Sequence, residues 1–137
     1  MSETVLTEGQ TFGPVERHVD RATLVCYAGA STDFNPIHWD DAAARRAGMD
    51  GVIAHGMWTM GAALAVATTW IGDPRRIRSQ RARFTRPVPV PPEGTSIEVS
   101  GTVSKVDGGT ATLTLDVRHD GQAVLGRVEV LVGQEGR

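Results

Sequence analysis

Cysteine is nearly missing from this 137-residue chain: Cys26 is the only one, so no disulfide can form within it. That excludes a cross-linked secreted scaffold and makes a reducing cytoplasm the expected compartment. The Val25-Cys26-Tyr27 setting predicts a small buried hydrophobe. A basic excess is missing too. With a formal net charge of -2, the chain lacks the cationic surface by which general nucleic-acid and membrane-surface binders hold phosphates. Neither partner is expected, and any phosphate recognition must be local. No low-complexity tract or internal repeat is present, so residues 1–137 are expected to form one domain with a modest core, leaving no room for a separate cofactor domain. The polar, acidic segment Met1 to Gly9 lacks the positive and apolar blocks of a signal peptide. The four histidines and one cysteine show no metal-ligand spacing, and no glycine-rich phosphate loop follows a strand, so neither a metal nor a redox cofactor is expected.

Charge is absent from one long stretch, Gly51 to Gly72. Its 22 residues are enough to span a bilayer. They are, however, mostly Ala, Gly and Thr, include His55, and are poor in the Leu, Ile and Phe that drive insertion. A helix from about Gly56 or Met57 to Trp70, enclosed by a sheet, is the better account. Gly72-Asp73-Pro74 ends it. Before it, Thr11 to Val19 reads as a strand weakened by Gly13-Pro14, and Asp20 or Thr23 caps a short helix that should fail at Gly29. Asp40-Asp41 opens a second short helix, which Gly48 stops.

Beyond Pro74 the apolar period changes to two. Ile97, Val99 and Val103, then Ala111, Leu113, Leu115 and Val117, then Val124, Val128, Val130 and Val132, alternate with polar residues as in half-buried strands. Asp107-Gly108-Gly109 and Asp120-Gly121 supply hairpin turns between them. Arg76 to Val88 is expected to be a further strand, left at the prolines from Pro87 to Pro92. Consecutive antiparallel pairing would give an α+β domain with a sheet curled around one central helix. Its open edges predict a dimer.

The chemistry concentrates in Asp33-Phe34-Asn35-Pro36-Ile37-His38, a carboxylate and an imidazole five positions apart around an Asn-Pro corner. Pro36 fixes its own φ and pushes Asn35 toward extended geometry, so the segment can close into a tight arch pinned by the Asn35 side chain. Such a pair can hold one water and exchange protons with it, as a water-adding or water-removing enzyme requires. On spacing alone the plainer reading is the favoured one: Asp33 and Asn35 as turn residues and His38 as an ordinary loop histidine.

Downstream motifs weigh against that plainer account. Residues 27–38, followed by Ala54-His55-Gly56-Met57 and Arg83-Phe84-Thr85-Arg86-Pro87-Val88, resemble the MaoC-like, or (R)-specific enoyl-CoA hydratase, hot-dog family. Within it, Asn35 to Asp41 and Ile53 to Met57 look closest to the catalytic subunit of (3R)-hydroxyacyl-ACP dehydratases. The resemblance implies a hot-dog fold, a CoA or ACP thioester substrate, and Asp33 and His38 as the catalytic dyad. It departs at Thr32, where the family usually has Gly before the Asp. A positive φ there would strain Thr.

Given that fold, Gly56 at the helix start can offer its amide to a thioester oxyanion. Asn35 and Trp58 join it as expected substrate-side residues, with Trp58 limiting or lining an acyl channel. Met57, Met60 and Trp70 are read as core. His55 is read as a buried structural histidine. Six arginines fall between Arg75 and Arg86, and Arg76, Arg78, Arg81 and Arg83 are the candidates for binding the phosphopantetheine or carrier end. Two rivals remain: a hot-dog acyl thioesterase, although Met57 to Trp70 lacks its usual carboxylate, and a non-catalytic acyl-binding partner subunit. Homodimer and heterodimer are both compatible with the sequence.

Overall fold

The structure is a computed structural model, and it describes residues 5–134. The ends of the expected single domain, residues 1–4 and 135–137, lie outside the described residues, so the acidic N-terminal segment is described only from residue 5. Strand β1 (Thr11–Val19) leads into α1 (Arg21–Ser31), a short 3-10 turn (Pro36–His38), α2 (Asp41–Arg46) and the long helix α3 (Gly56–Ile71). Strands β2 (Ile77–Phe84), β3 (Thr95–Asp107), β4 (Thr110–His119), β5 (Gln122–Ala123) and β6 (Leu125–Gly133) follow. All pair antiparallel in one sheet, in the order β1-β3-β4-β6-β2, with β5 beside β4. With α3 packed on β1, β2 and β3, this is the α+β hot-dog arrangement.

The period-two pattern holds. Every apolar residue named above in the strands from Ile97 to Val132 is buried, because each strand turns alternate side chains toward α3. The pairing, however, is not consecutive throughout. Strand β2 lies beside β6 at the far edge rather than beside β3. The prolines that end β2 explain this: they cannot form a hairpin ladder, so the chain crosses the domain before β3 begins. Asp120 and Gly121 both take positive φ, 49° and 75°, as the expected hairpin turn requires.

Helix α1 runs through Gly29 to Ser31 and ends at Thr32, later than expected. Asp20 and Thr23 form a reciprocal capping box, and one interior Gly costs only about 1 kcal/mol. Because α1 buries Leu24 and Ala28, Cys26 lies on the outer side and is exposed, contrary to the sequence reading. Helix α3 buries Thr59, Ala63, Val66, Ala67 and Ile71. The line Met57, Gly61, Ala65 and Thr69 is exposed, so one chain does not enclose the helix on every side. No helix among the described residues is long and apolar enough to cross a membrane.

Two tethers place the loops that carry the site. Arg21 makes a two-pronged ion pair with Asp41, 2.9 Å at each prong, and also donates to the Val90 carbonyl. Asp41 in turn accepts from the Val52 amide at 3.0 Å. The Arg21 guanidinium and that amide hold the Asp41 carboxyl down to about 2. Residues 52–54 then lie against 88–90 through Ala54 N–H to Val88 and Val90 N–H to Val52, 2.9 Å each.

Arg76 corrects a sequence expectation. It is 1% exposed, and its Nε donates to the Gly133 carbonyl at 2.7 Å, with Gln134 Oε1 near its terminal nitrogen. Gln134 also binds both backbone groups of Leu6. Arg76 is therefore an internal clasp rather than a carrier-binding residue. The alternation reading failed because Pro74–Arg76 is a 3-10 turn, and strand geometry begins only at Ile77.

Candidate active site

The arch forms as the Asn-Pro corner predicts. Asn35 caps the 3-10 turn by accepting from the Ile37 amide at 3.2 Å, and Asp33 Oδ1 accepts from the Asn35 amide at 3.2 Å. His38 is carried inward and buried, while Asp33 stays half exposed at the rim. His38 Nδ1 lies 2.8 Å from the Ile53 carbonyl, an oxygen that only accepts, so Nδ1 bears a proton. The other ring nitrogen, Nε2, faces Asp33 Oδ2 at 3.7 Å. That separation is too long for a direct hydrogen bond and short enough for one water to touch both groups.

Beside them opens a cavity of about 300 Å³. His38, Ile53, Gly56 and Thr59 line one side, with Phe84, Arg86, Val88 and Leu125 among the rest. Gly56 is the first residue of α3, so its amide belongs to the group left without an intrahelical acceptor. A Cβ at Gly56 would stand 2.9 Å from the Phe84 ring, which explains the glycine: any side chain would push into the cavity wall. His38, a helix-start amide and an apolar chamber thus share one space.

The other expected residues are placed as follows. Asn35 holds the arch and does not line the cavity. Trp58 does not line it either; it packs on the core, because two residues beyond Gly56 is about 200° around the helix. Met57, read as core, is exposed. His55 is buried as expected. Arg81 and Arg83 line a separate concavity with Arg127 and Glu129, which shares no wall with the dyad cavity. Arg78 lies over Gly133. The arginine at the cavity is Arg86, for which strand alternation gave no signal, since it follows the end of β2. The Ile53 carbonyl was equally hidden, because a backbone acceptor leaves no mark in residue type.

Asp33, His38 and His55 bring potential metal-ligand atoms within 4.8 Å of one another. Their geometry suits water better than an ion. The two imidazoles stack with centroids 3.7 Å apart, so their lone pairs run in parallel planes instead of converging, and His55 Nε2 already donates to the Asp33 carbonyl.

Thr32 takes φ 62° and ψ 16°, the left-handed region. The family's glycine would sit there without strain, whereas a β-branched residue pays about 1–2 kcal/mol. Asp33 nevertheless reaches His38, because its own amide is held by Ser31 Oγ at 3.2 Å. We expect Thr32→Gly to raise stability by up to about 1 kcal/mol, after the entropy cost of glycine in the unfolded chain. Denaturant titration reads this directly, and a destabilised variant would show that the Thr32 side chain holds the loop.

Comparison with known proteins bears on the family and the fold. The chain is 40% identical over 84 residues to the fatty acid synthase beta subunit pkiC of Emericella nidulans; the match takes in 60% of this chain and 4% of the length of that protein. A structure described as a MaoC-like dehydratase superposes with a TM-score of 0.90 at 32% identity, over 93% of this chain and 40% of the other. The R-hydratase PhaJ1 from Pseudomonas aeruginosa gives 0.82 at 26% identity, over 96% and 84%. The HadBC (3R-hydroxyacyl-ACP dehydratase) complex of Mycobacterium tuberculosis, at 19% identity and a TM-score of 0.73 over 96% of this chain and 100% of the other, shares the fold. The chain thus spans less than half the length of the first two proteins it matches. The family model described as MaoC like domain matches residues 3–122, and on that extent the chain belongs to the MaoC-like family.

Proposed function

We propose that this domain adds water to trans-2-enoyl thioesters, and removes it from (3R)-3-hydroxyacyl thioesters, carried on CoA or an acyl carrier protein. The observation that carries this reading is Asp33 and His38 facing one another at 3.7 Å beside the Gly56 amide and an apolar cavity. The thioester carbonyl would receive the Gly56 N–H, which stabilises charge as it builds on oxygen. Water held by the dyad attacks Cβ. One member of the pair accepts its proton, and the other delivers the pair's exchangeable proton to Cα, so the double bond gains H and OH and the dyad keeps its proton count. Dehydration is the reverse. In this reading the chemistry calls on no metal or redox group.

For partners, we propose a second hot-dog subunit, either a copy or a relative. Strand β2 is a sheet edge among the described residues, and Phe34, Met57 and Phe84 expose apolar surface around the site. Arg86 at the cavity, with Arg78, Arg81 and Arg83 on β2, is proposed to meet the anionic carrier. The expected compartment is the cytoplasm.

The test is crotonyl-CoA hydration by the purified protein, alone and with a related subunit from its genomic neighbourhood. The (3R)-hydroxy product is expected. Release of free CoA instead would favour a thioesterase, for which α3 offers no Asp or Glu. Acyl binding without turnover in either preparation would favour a non-catalytic subunit.

A further inference from the structure

His55 is 1% exposed, and none of the proposed proton transfers uses it. Its Nε2 lies 3.1 Å from the Asp33 carbonyl, which can only accept, so Nε2 carries the proton and donates. Nδ1 is then a bare lone pair, buried without a hydrogen-bond partner. An apolar side chain would avoid that unpaired nitrogen, so the imidazole must supply something an apolar group lacks. Two contacts identify it. The ring lies flat against His38, with centroids 3.7 Å apart and planes 20° from parallel. The donated bond anchors Asp33 to the residue that precedes α3, whereas the Asp33 bonds to Ser31 and Asn35 join it only to residues two positions away in the chain. Tyr27, from α1, meets the ring edge-on at 4.7 Å.

We propose that His55 is a positioning residue for the dyad: one imidazole, through a donated hydrogen bond and a stacked face, sets the separation between Asp33 and His38. The proposal rests on the hydratase reading. Burial pushes the His55 pKa down; the bond to the Asp33 carbonyl opposes it, neighbouring His38 adds to the lowering, and the net shift is downward, so the neutral Nε2–H form is favoured. With Tyr27, Asp33 and His38 as the titratable groups facing it, His55 adds no charge of its own beside the reacting atoms.

Three variants and one spectroscopic measurement test this. Glutamine can place an amide N–H where Nε2 stands; asparagine, one carbon shorter, and leucine cannot. His55→Leu and His55→Asn are expected to lower kcat for crotonyl-CoA hydration about 10- to 100-fold with KM within about twofold. His55→Gln is expected to recover most of that loss. Wild-type kcat in folded His55→Leu, or a His55→Gln enzyme as slow as His55→Leu, would overturn the proposal. Nitrogen-15 NMR of the wild-type histidines does not depend on variant folding or on turnover: the His55 signals should show a protonated Nε2 and an unprotonated Nδ1 throughout the neutral range. The opposite tautomer, or a His55 that titrates there, overturns the proposal as well. Absence of wild-type turnover would instead count against the hydratase reading, and the NMR result would still decide the placement of His55.

Discussion

Asp33→Asn and His38→Asn should each lower kcat for crotonyl-CoA hydration by about 10²- to 10⁴-fold, the range for removing a positioned general acid or base. Both substitutions are chosen to spare the scaffold. Asparagine at 33 keeps an oxygen to accept from the Asn35 amide at 3.2 Å, so the arch stays closed while the carboxylate is lost. Asparagine at 38 retains an amide N–H able to reach the Ile53 carbonyl, the 2.8 Å partner of Nδ1, and deletes only the nitrogen that faces Asp33. KM should move by less than about threefold, because in the proposed reading the acyl chain would be held by the apolar residues of the cavity and not by the Asp33 carboxylate or the His38 nitrogen that faces it. Near-normal turnover in both folded variants would mean that the 3.7 Å approach is a loop contact without chemistry.

Gly56→Pro should cost about 10²- to 10³-fold in kcat, the effect of removing one oxyanion donor. Proline is well suited to the first position of a helix, and the preceding His55, at φ -60° and ψ 133°, already has the extended geometry that a following proline demands. The helix should therefore survive while its leading N–H disappears. The added ring atoms also crowd Phe84, so Gly56→Ala is the matched control: it brings the same Cβ, 2.9 Å from that ring, and keeps the amide. A much slower proline variant assigns the loss to the N–H. Equal loss in the two would assign it to crowding and leave the oxyanion to another donor.

Most of the strands were legible because their cause is local. An apolar residue at every second position, interrupted by Asp-Gly pairs, can bury one face only as antiparallel ribbons, and the residues so identified are buried here. The first residue of α3 and the Asn35 cap were legible for the same reason. Position-by-position assignment of the arginines was not. Arg76, Arg78, Arg81, Arg83 and Arg86 look alike in sequence, yet one is a buried clasp, one lines the cavity, two line a separate concavity and one lies over Gly133. A 3-10 turn before β2 and register shifts within it broke the alternation that would have sorted them.

The amino-acid sequence alone determined the class of fold, the arch from Asp33 to His38 and the position of the helix-start glycine, since each follows from short-range steric and hydrogen-bonding rules. Tertiary structure decided which groups those local pieces meet. It placed β2 against β6, gave His38 the Ile53 carbonyl as its partner, slid the His55 ring beneath the dyad and turned Arg76 inward. These are contacts between segments 15 or more residues apart. A backbone carbonyl or a ring face can receive many different side chains, so residue identity does not specify them, and only the packing of the whole domain does.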